Sequence, residues 1–155
     1  MQIQFKINEI RLLNAEYSMK KEFEPSEVEE NNENEGRPIP LEISCGSKFN
    51  DKSLNLIVAV KVSCKDPELP FDFSVEYGGS FDFDSKPKAE ELERIGNINC
   101  PSIIFPYIRE LVSEIVRRGG YEPLLIPPIN FVALYKENKA HGKIHIEKIS
   151  TDSNE

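Results

Sequence analysis

Residues 100–135, CPSIIFPYIRELVSEIVRRGGYEPLLIPPINFVALY, decide how the rest of the chain is read. From Ile103 to Val116 the apolar residues Ile104, Ile108, Leu111 and Ile115 recur at helical spacing and form one line. Phe105, Val112 and Val116 flank that line on one side and Tyr107 on the other, while Arg109, Glu110, Ser113, Glu114 and Arg117 fill the remaining arc. At ~100° per residue the apolar arc takes in roughly half the circumference, wider than a helix lying on one sheet needs. The spacing therefore predicts a helix with two apolar contacts. One is its own sheet; the other is a second subunit or a second layer of the same domain. In a chain of 155 residues the second subunit is the simpler partner, with Ile104, Ile108, Leu111 and Ile115 as the expected interface.

The ends of this helix are marked. Pro101 suits a first helical turn, where a missing N–H costs nothing. Pro106 either kinks the helix or marks its true start. Arg117 and Arg118 favour the C-terminal dipole, and Gly119-Gly120 end the helix. A connection rich in proline (Pro123, Pro127, Pro128) follows and carries Leu124, Leu125 and Ile126. Exposed, that run is a liability; in a groove it is a contact surface. Asn130 is the expected N-cap of a second helix reaching Asn138, with Phe131, Leu134 and Tyr135 on one face.

Upstream the chain reads as strands. Met1 to Ile10 alternates, with Ile3, Phe5 and Ile7 on one side. Glu16 to Gly36 is acidic, eight Glu against Lys20 and Lys21, and reads as a solvated loop. Leu41, Ile43 and Cys45 open a second strand, and Leu54 to Cys64 makes a third, apolar on both faces as a central strand should be. In the fourth, Phe71, Phe73, Val75, Tyr77, Gly79, Phe81 and Phe83 alternate with Asp72, Ser74, Glu76, Gly78, Ser80 and Asp82. Gly78-Gly79 is the expected place for a bend or bulge. The carboxylates of that strand should share its solvent side as one negative patch. Lys86 to Ile98 reads as a short helix leading into the main one, and Gly142 to Ile149 as a short strand before a disordered end. The organisation expected is one domain over residues 1–140 and a divergent extension over 141–155. The fold class is α+β: a four-stranded antiparallel sheet packed by one long and one short C-terminal helix.

Composition narrows the function. The formal charge, 19 − 27 = −8, argues against nucleic acid or an anionic membrane as partner. No apolar run approaches the ~20 residues that span a bilayer, and the N-terminus is no signal peptide. Cys45, Cys64 and Cys100 read as three buried free thiols in a reducing cytoplasm. His141 and His145 are remote from any cysteine, so neither a zinc site nor a cysteine nucleophile is expected. With no P-loop, GxGxxG, GxSxG or HExxH, the chain reads as a non-enzyme without cofactor or metal. What remains is apolar surface in unusual places, able to line a groove for extended apolar segments.

The string PSIIFPYIRELVSEIVRRGG followed by PPINFVALY resembles the SecB export-chaperone family, whose members carry P-N-I-L-F-P-Y-x-R-E, then R-G, then P-V-N-F-x-A-L-F. Here those positions are Pro101, Ile103, Ile104, Phe105, Pro106, Tyr107, Arg109, Glu110, Arg118, Gly119, Pro128, Ile129, Asn130, Phe131, Ala133, Leu134 and Tyr135. The resemblance implies subunits paired through their sheets and dimers paired through the long helices. It implies an ATP-independent holdase that keeps unfolded precursors in hydrophobic grooves and passes them to the SecA ATPase. Groove positions of the family fall on Ile39, Leu41, Ile43, Leu124 and Tyr135. Its SecA-docking carboxylates fall on Asn14, Ser18 and Ser74, with Glu16, Asp72 and Glu76 close by. The family's acidic tail is replaced by KIHIEKISTDSNE. Such departures also suit a dedicated chaperone of an antitoxin, and an adaptor binding one folded partner through its acidic face is the alternative of another class.

Overall fold

The computed structural model describes residues 4–20, 39–142 and, by backbone alone, 146–149. Ile3, the acidic stretch from residue 21 to Gly36, and His145 lie outside the described residues. Four antiparallel strands make the sheet: β1 (Phe5–Met19), β2 (Glu42–Asn50), β3 (Asn55–Cys64) and β4 (Phe71–Phe83). They lie in the order β1-β4-β3-β2, and a short β5 (Ile146–Ile149) adds a fifth strand, parallel to β2. The expected four-stranded fold is therefore present, with one strand more at its edge.

β4 shows why the sheet forms where it does. Its aromatic and aliphatic residues Phe71, Phe73, Val75, Phe81 and Phe83 are buried on one face, the inner one, while Asp72, Ser74, Glu76, Ser80 and Asp82 stay partly open on the other. Its pairing with β3 is unbroken from Asn55↔Asp82 to Cys64↔Phe73. The bulge expected at Gly78-Gly79 is absent from β4, because these glycines answer a different need. A Cβ on Gly79 would come within 2.7 Å of the Phe81 ring and 3.2 Å of Ile104 Cδ1, so glycine lets a helix lie close on the sheet.

The bulges are on β1 instead. Its register against β4 slips between Ile7 and Glu9 and again between Leu12 and Asn14, so Asn8 and Leu13 are each one residue extra. Inner-face partners run Phe5 and Ile7, then Ile10 and Leu12, then Ala15, Tyr17 and Met19. Period two is kept with two phase slips, which is why the strand continues to Met19, past the Ile10 that simple alternation reaches and into the stretch read as loop.

The helical part runs from Ala89 to Arg118 without a break in three segments: α1 (Ala89–Arg94), a π turn (Ile95–Asn99) and α2 (Cys100–Arg118). Pro101 thus lies within a longer helix rather than at its start. A proline ring clashes with the carbonyl four residues back in α geometry, and the wider π turn opens the helix just there. Pro106 sits exposed inside α2. α2 lies across β4 and β3 and buries Cys100, Pro101, Ile104, Phe105, Ile108, Val112 and Val116. Each large aliphatic or aromatic among these contributes about 1.5–3 kcal/mol. After Gly120, whose φ of 93° suits glycine, the connection leads to α3 (Phe131–Ala140). The Asn130 side chain caps α3, accepting from Ala133 N–H at 3.0 Å.

Candidate functional site

Four of the five groove positions sit at the margin of the core, three of them in β2 or just before it. Ile39, Leu41 and Ile43 are half-buried and pack against it, as does Leu124 on the connection. Ile43 is paired across from Val62, which fixes it on the inner face. The three consecutive apolar residues of the connection divide: Ile126 is buried, Leu124 half-buried, and Leu125 is 75% exposed. Arg109 holds the connection in place, its Nε donating to the Ile126 carbonyl at 2.7 Å. A cleft of about 440 Å³ opens between α2 and the connection, lined by Pro106, Arg109, Glu110, Ser113, Glu114 and Leu125 among others.

Tyr135, the fifth position, plays another part. It is only 9% exposed, and its hydroxyl donates to Glu93 Oε1 at 2.8 Å. Lys139 Nζ donates to the same hydroxyl at 3.2 Å and lies 3.4 Å from Glu93. Tyr135 therefore ties α3 to α1 and is packed rather than presented. Helical periodicity places it on the apolar face of α3 but says nothing of a carboxylate 42 residues earlier.

Cys64 and Cys100 are buried as expected, and burial pushes the Cys100 thiol up to about 12. Cys45 corrects the expectation of a third buried thiol: it is exposed. It shares the inner face with Ile43, across from Val60, while the helical part meets β2 further along, where Ser47 lies beside Gly96 of the π turn. Desolvation by the surrounding protein still pushes its thiol up to about 11.

The positions that the resemblance matches to docking carboxylates, and the carboxylates near them, lie on the outer face. Register places Asn14 across from Glu76, Glu16 across from Ser74 and Ser18 across from Asp72. Every neutral residue at a family carboxylate position thus faces a carboxylate on the neighbouring strand, so negative charge is displaced by one strand. The face is not purely negative, however. Lys61 lies across from Glu76 on β3, and Lys20 Nζ is 3.6 Å from Asp72 Oδ1. Asp82 is engaged by the Asn55 amide at 2.8 Å. A hollow of about 310 Å³ lined by Glu16, Glu42, Lys61, Lys65 and Ser74, with Leu41 at its side, mixes both signs. The single acidic patch expected from β4 alone is broken up by lysines from elsewhere in the chain.

The helix residues expected at a subunit interface divide between core and surface. Ile104 and Ile108 are 0% exposed within one protomer, under the weight of the sheet, so neither can meet a neighbour. Leu111 and Ile115 are half-buried and Tyr107 is exposed, so the open part of the apolar arc is shifted to their side of α2. α2 barely reaches β1, which leaves Ile7, Leu12 and Met19 about half exposed on the sheet's inner face. Tyr77, across from Leu12, bridges the two regions, its ring 5.9 Å from that of Tyr107. An apolar area shared by β1 and α2 thus stands open.

Among the described residues no group of three or more His, Cys, Asp or Glu is arranged to hold a metal, and no helix is long and apolar enough to cross a membrane.

The sequence profile of the family described as preprotein translocase subunit SecB matches residues 4–142. A protein-export protein SecB of Magnetococcus marinus is 42% identical over 82 residues, 53% of this chain and about half (52%) of the relative's own length. One of Bradyrhizobium diazoefficiens is 30% identical over 128 residues, covering 80% of this chain and 79% of the relative. Among solved structures, a SecB-like chaperone of Mycobacterium tuberculosis in complex with a ChAD peptide from an antitoxin superposes with a TM-score of 0.60. It is 17% identical, with 81% of this chain and 90% of that one covered, a likeness of fold.

Proposed function

The chain belongs to the SecB family, and on that premise we propose that it is an ATP-independent holdase that binds non-native, extended polypeptide segments. The observation that carries this is the row of half-buried apolar side chains Ile39, Leu41 and Ile43, with Leu124 on the connection, left incompletely covered by the chain itself. Such side chains bind apolar segments without demanding a particular sequence. The clients are precursors for export, as the names of the relatives suggest, and the place of work is the cytoplasm. The antitoxin role leans on a likeness of fold alone and is not favoured. Binding, with no bond made or broken, is the whole of the activity.

Two further surfaces serve that role. The outer face, through Glu16, Asp72 and Glu76, receives SecA. The open apolar area of β1 and α2, with Tyr107, Leu111 and Ile115, joins copies of the chain into a dimer or tetramer. The test of the holdase reading is suppression of aggregation of several unrelated unfolded proteins by stoichiometric amounts of the chain without nucleotide. Protection of all of them is expected. Protection of none, with tight binding of one folded partner, would replace this reading by the adaptor.

A further inference from the structure

We propose that the outer-face hollow around Ser74 is a mixed-charge socket, and that the partner docked on that face enters it with a segment carrying both acidic and basic side chains. This rests on the docking role proposed for the outer face and adds Lys61 and Lys65 to it as attractive contacts. Strand register builds the hollow from one row across the sheet. Glu16 of β1 lies across from Ser74 of β4, Ser74 from Ser63 of β3, and Ser63 from Glu42 of β2. Three strand spacings of ~4.8 Å set the two glutamates ~14 Å apart at the backbone. Lys61 and Lys65, which line the same hollow, stand two residues to either side of Ser63. The positive ends of the socket therefore lie in the direction of β3 and the negative ends across it.

The floor is low because two serines make it. Both are half-buried, and the Ser74 Oγ is buried without a hydrogen-bond partner in the protein. A segment that reaches the floor with a polar group supplies that partner. The four charged side chains around it are exposed, and among the described residues none of them is held in an ion pair. Lys20 nearby differs, being drawn to Asp72. The charges of Glu16, Glu42, Lys61 and Lys65 cancel, so a wholly basic segment loses at the lysines about what it gains at the glutamates. A segment with acidic side chains toward Lys61 and Lys65 and basic ones toward Glu16 and Glu42 meets attraction at all four. The crossed arrangement also selects, because a partner of one sign always faces like charge on two sides.

The test uses the full chain, with full-length SecA as the probe and fluorescence anisotropy of the dye-labelled chain as the readout. Lys61→Glu with Lys65→Glu should weaken the complex ~10-fold at low salt. Docking through carboxylates alone predicts the opposite sign, since the double reversal makes the face more negative. Ser74→Leu fills the floor at unchanged charge and should also weaken binding several-fold. Thermal unfolding of the lysine variant should match the wild type, both side chains being exposed. A tighter or unchanged complex with the lysine variant would overturn the socket and leave docking on this face in place. Full binding by Ser74→Leu would do the same, by showing that nothing enters the hollow. Absence of wild-type binding, or binding indifferent to Glu16→Lys with Glu76→Lys, would overturn the docking role itself.

Discussion

β1 and β2 bound the antiparallel sheet on opposite sides, and they manage an exposed edge in different ways. β1 is 15 residues long and carries two one-residue bulges, which increase local twist and make a flat strand-to-strand approach harder. Its inner face is left apolar and open because α2 lies over β4 and β3. β2 is nine residues long, unbulged and flat against β3, and part of its outer edge is filled by β5. The β1 side thus offers side-chain surface suited to a fixed apolar partner of defined shape, a second copy. The β2 side offers an edge and a row of apolar residues suited to something extended and variable. On the proposed reading, assembly and client binding are kept apart in one small sheet because one edge strand is bulged and the other is not.

The largest effect that would sharpen this contrast lies on the β1 side. Leu12→Asp with Tyr107→Asp puts two charges into the proposed contact between copies, and association should weaken by about 100-fold. Sedimentation measures it, and the separated protomers should keep their thermal stability because both side chains are exposed in the protomer. Ile108→Asp is the control, and it should unfold the protomer, since its site is sealed. Unchanged assembly in the double variant would break the assignment of the β1 side.

Next comes the joint between β1 and α2. A Cβ on Gly119 would sit 1.9 Å from the Tyr17 hydroxyl, which is tucked against the end of α2. Gly119→Ala should destabilise the chain by about 1–3 kcal/mol in denaturant unfolding, as overpacking does. Tyr17→Ala in the same chain should recover part of that loss relative to the sum of the single changes. Strict additivity would show that the two residues do not press on each other.

On the β2 side, Leu41→Asp with Leu124→Asp should weaken binding of unfolded proteins by about ten-fold, or ~1.4 kcal/mol. Sedimentation should be unchanged, which is the reverse of the outcome on the β1 side. A variant that binds normally but falls apart as an assembly would exchange the roles of the two edges.

The smallest effect is read at Cys45. With Cys64 and Cys100 buried, a maleimide should label the native chain at Cys45 first. Reaction goes through the thiolate, and a thiol pushed up to about 11 stays protonated at neutral pH. The labelling rate should therefore still climb steeply between pH 9 and pH 10, where an ordinary thiol is levelling off. A bound client should slow labelling several-fold at any one pH. No protection would move the client away from Ile43 and its neighbours.

How much of this could be read along the chain differs from element to element. β4 was legible residue by residue, because all its inner positions meet one buried layer and hydrophobic period two survives intact. α2, the cap at Asn130 and the C-terminal strand were legible for the same kind of local reason. β1 was legible only to Ile10, because each bulge shifts the phase and a period search then sees Ile10, Leu12, Ala15, Tyr17 and Met19 as scattered. The family resemblance names Ile39, Leu41, Ile43 and Leu124 as groove positions, and what the structure adds is that all four are half-buried at the margin of the core. The same resemblance placed Tyr135 in the groove, but the Tyr135–Glu93–Lys139 contact depends on how α3 folds back on α1.

The sequence alone determined the element types, the sheet-and-helix class, the kinship with the SecB family and the apolar character of the surfaces, since each of these follows from local periodicity or an ordered string of residues. Only the tertiary structure decided which apolar residues are core and which are surface. Ile104 and Leu111 belong to one apolar arc of α2, yet the sheet seals the first and leaves the second partly open. The same holds for charge: Asp72 and Glu76 share a face with Lys20 and Lys61 only because register brings strands distant in sequence side by side. Periodicity fixes the direction of a side chain relative to its own element; what that direction meets depends on where the other elements come to rest.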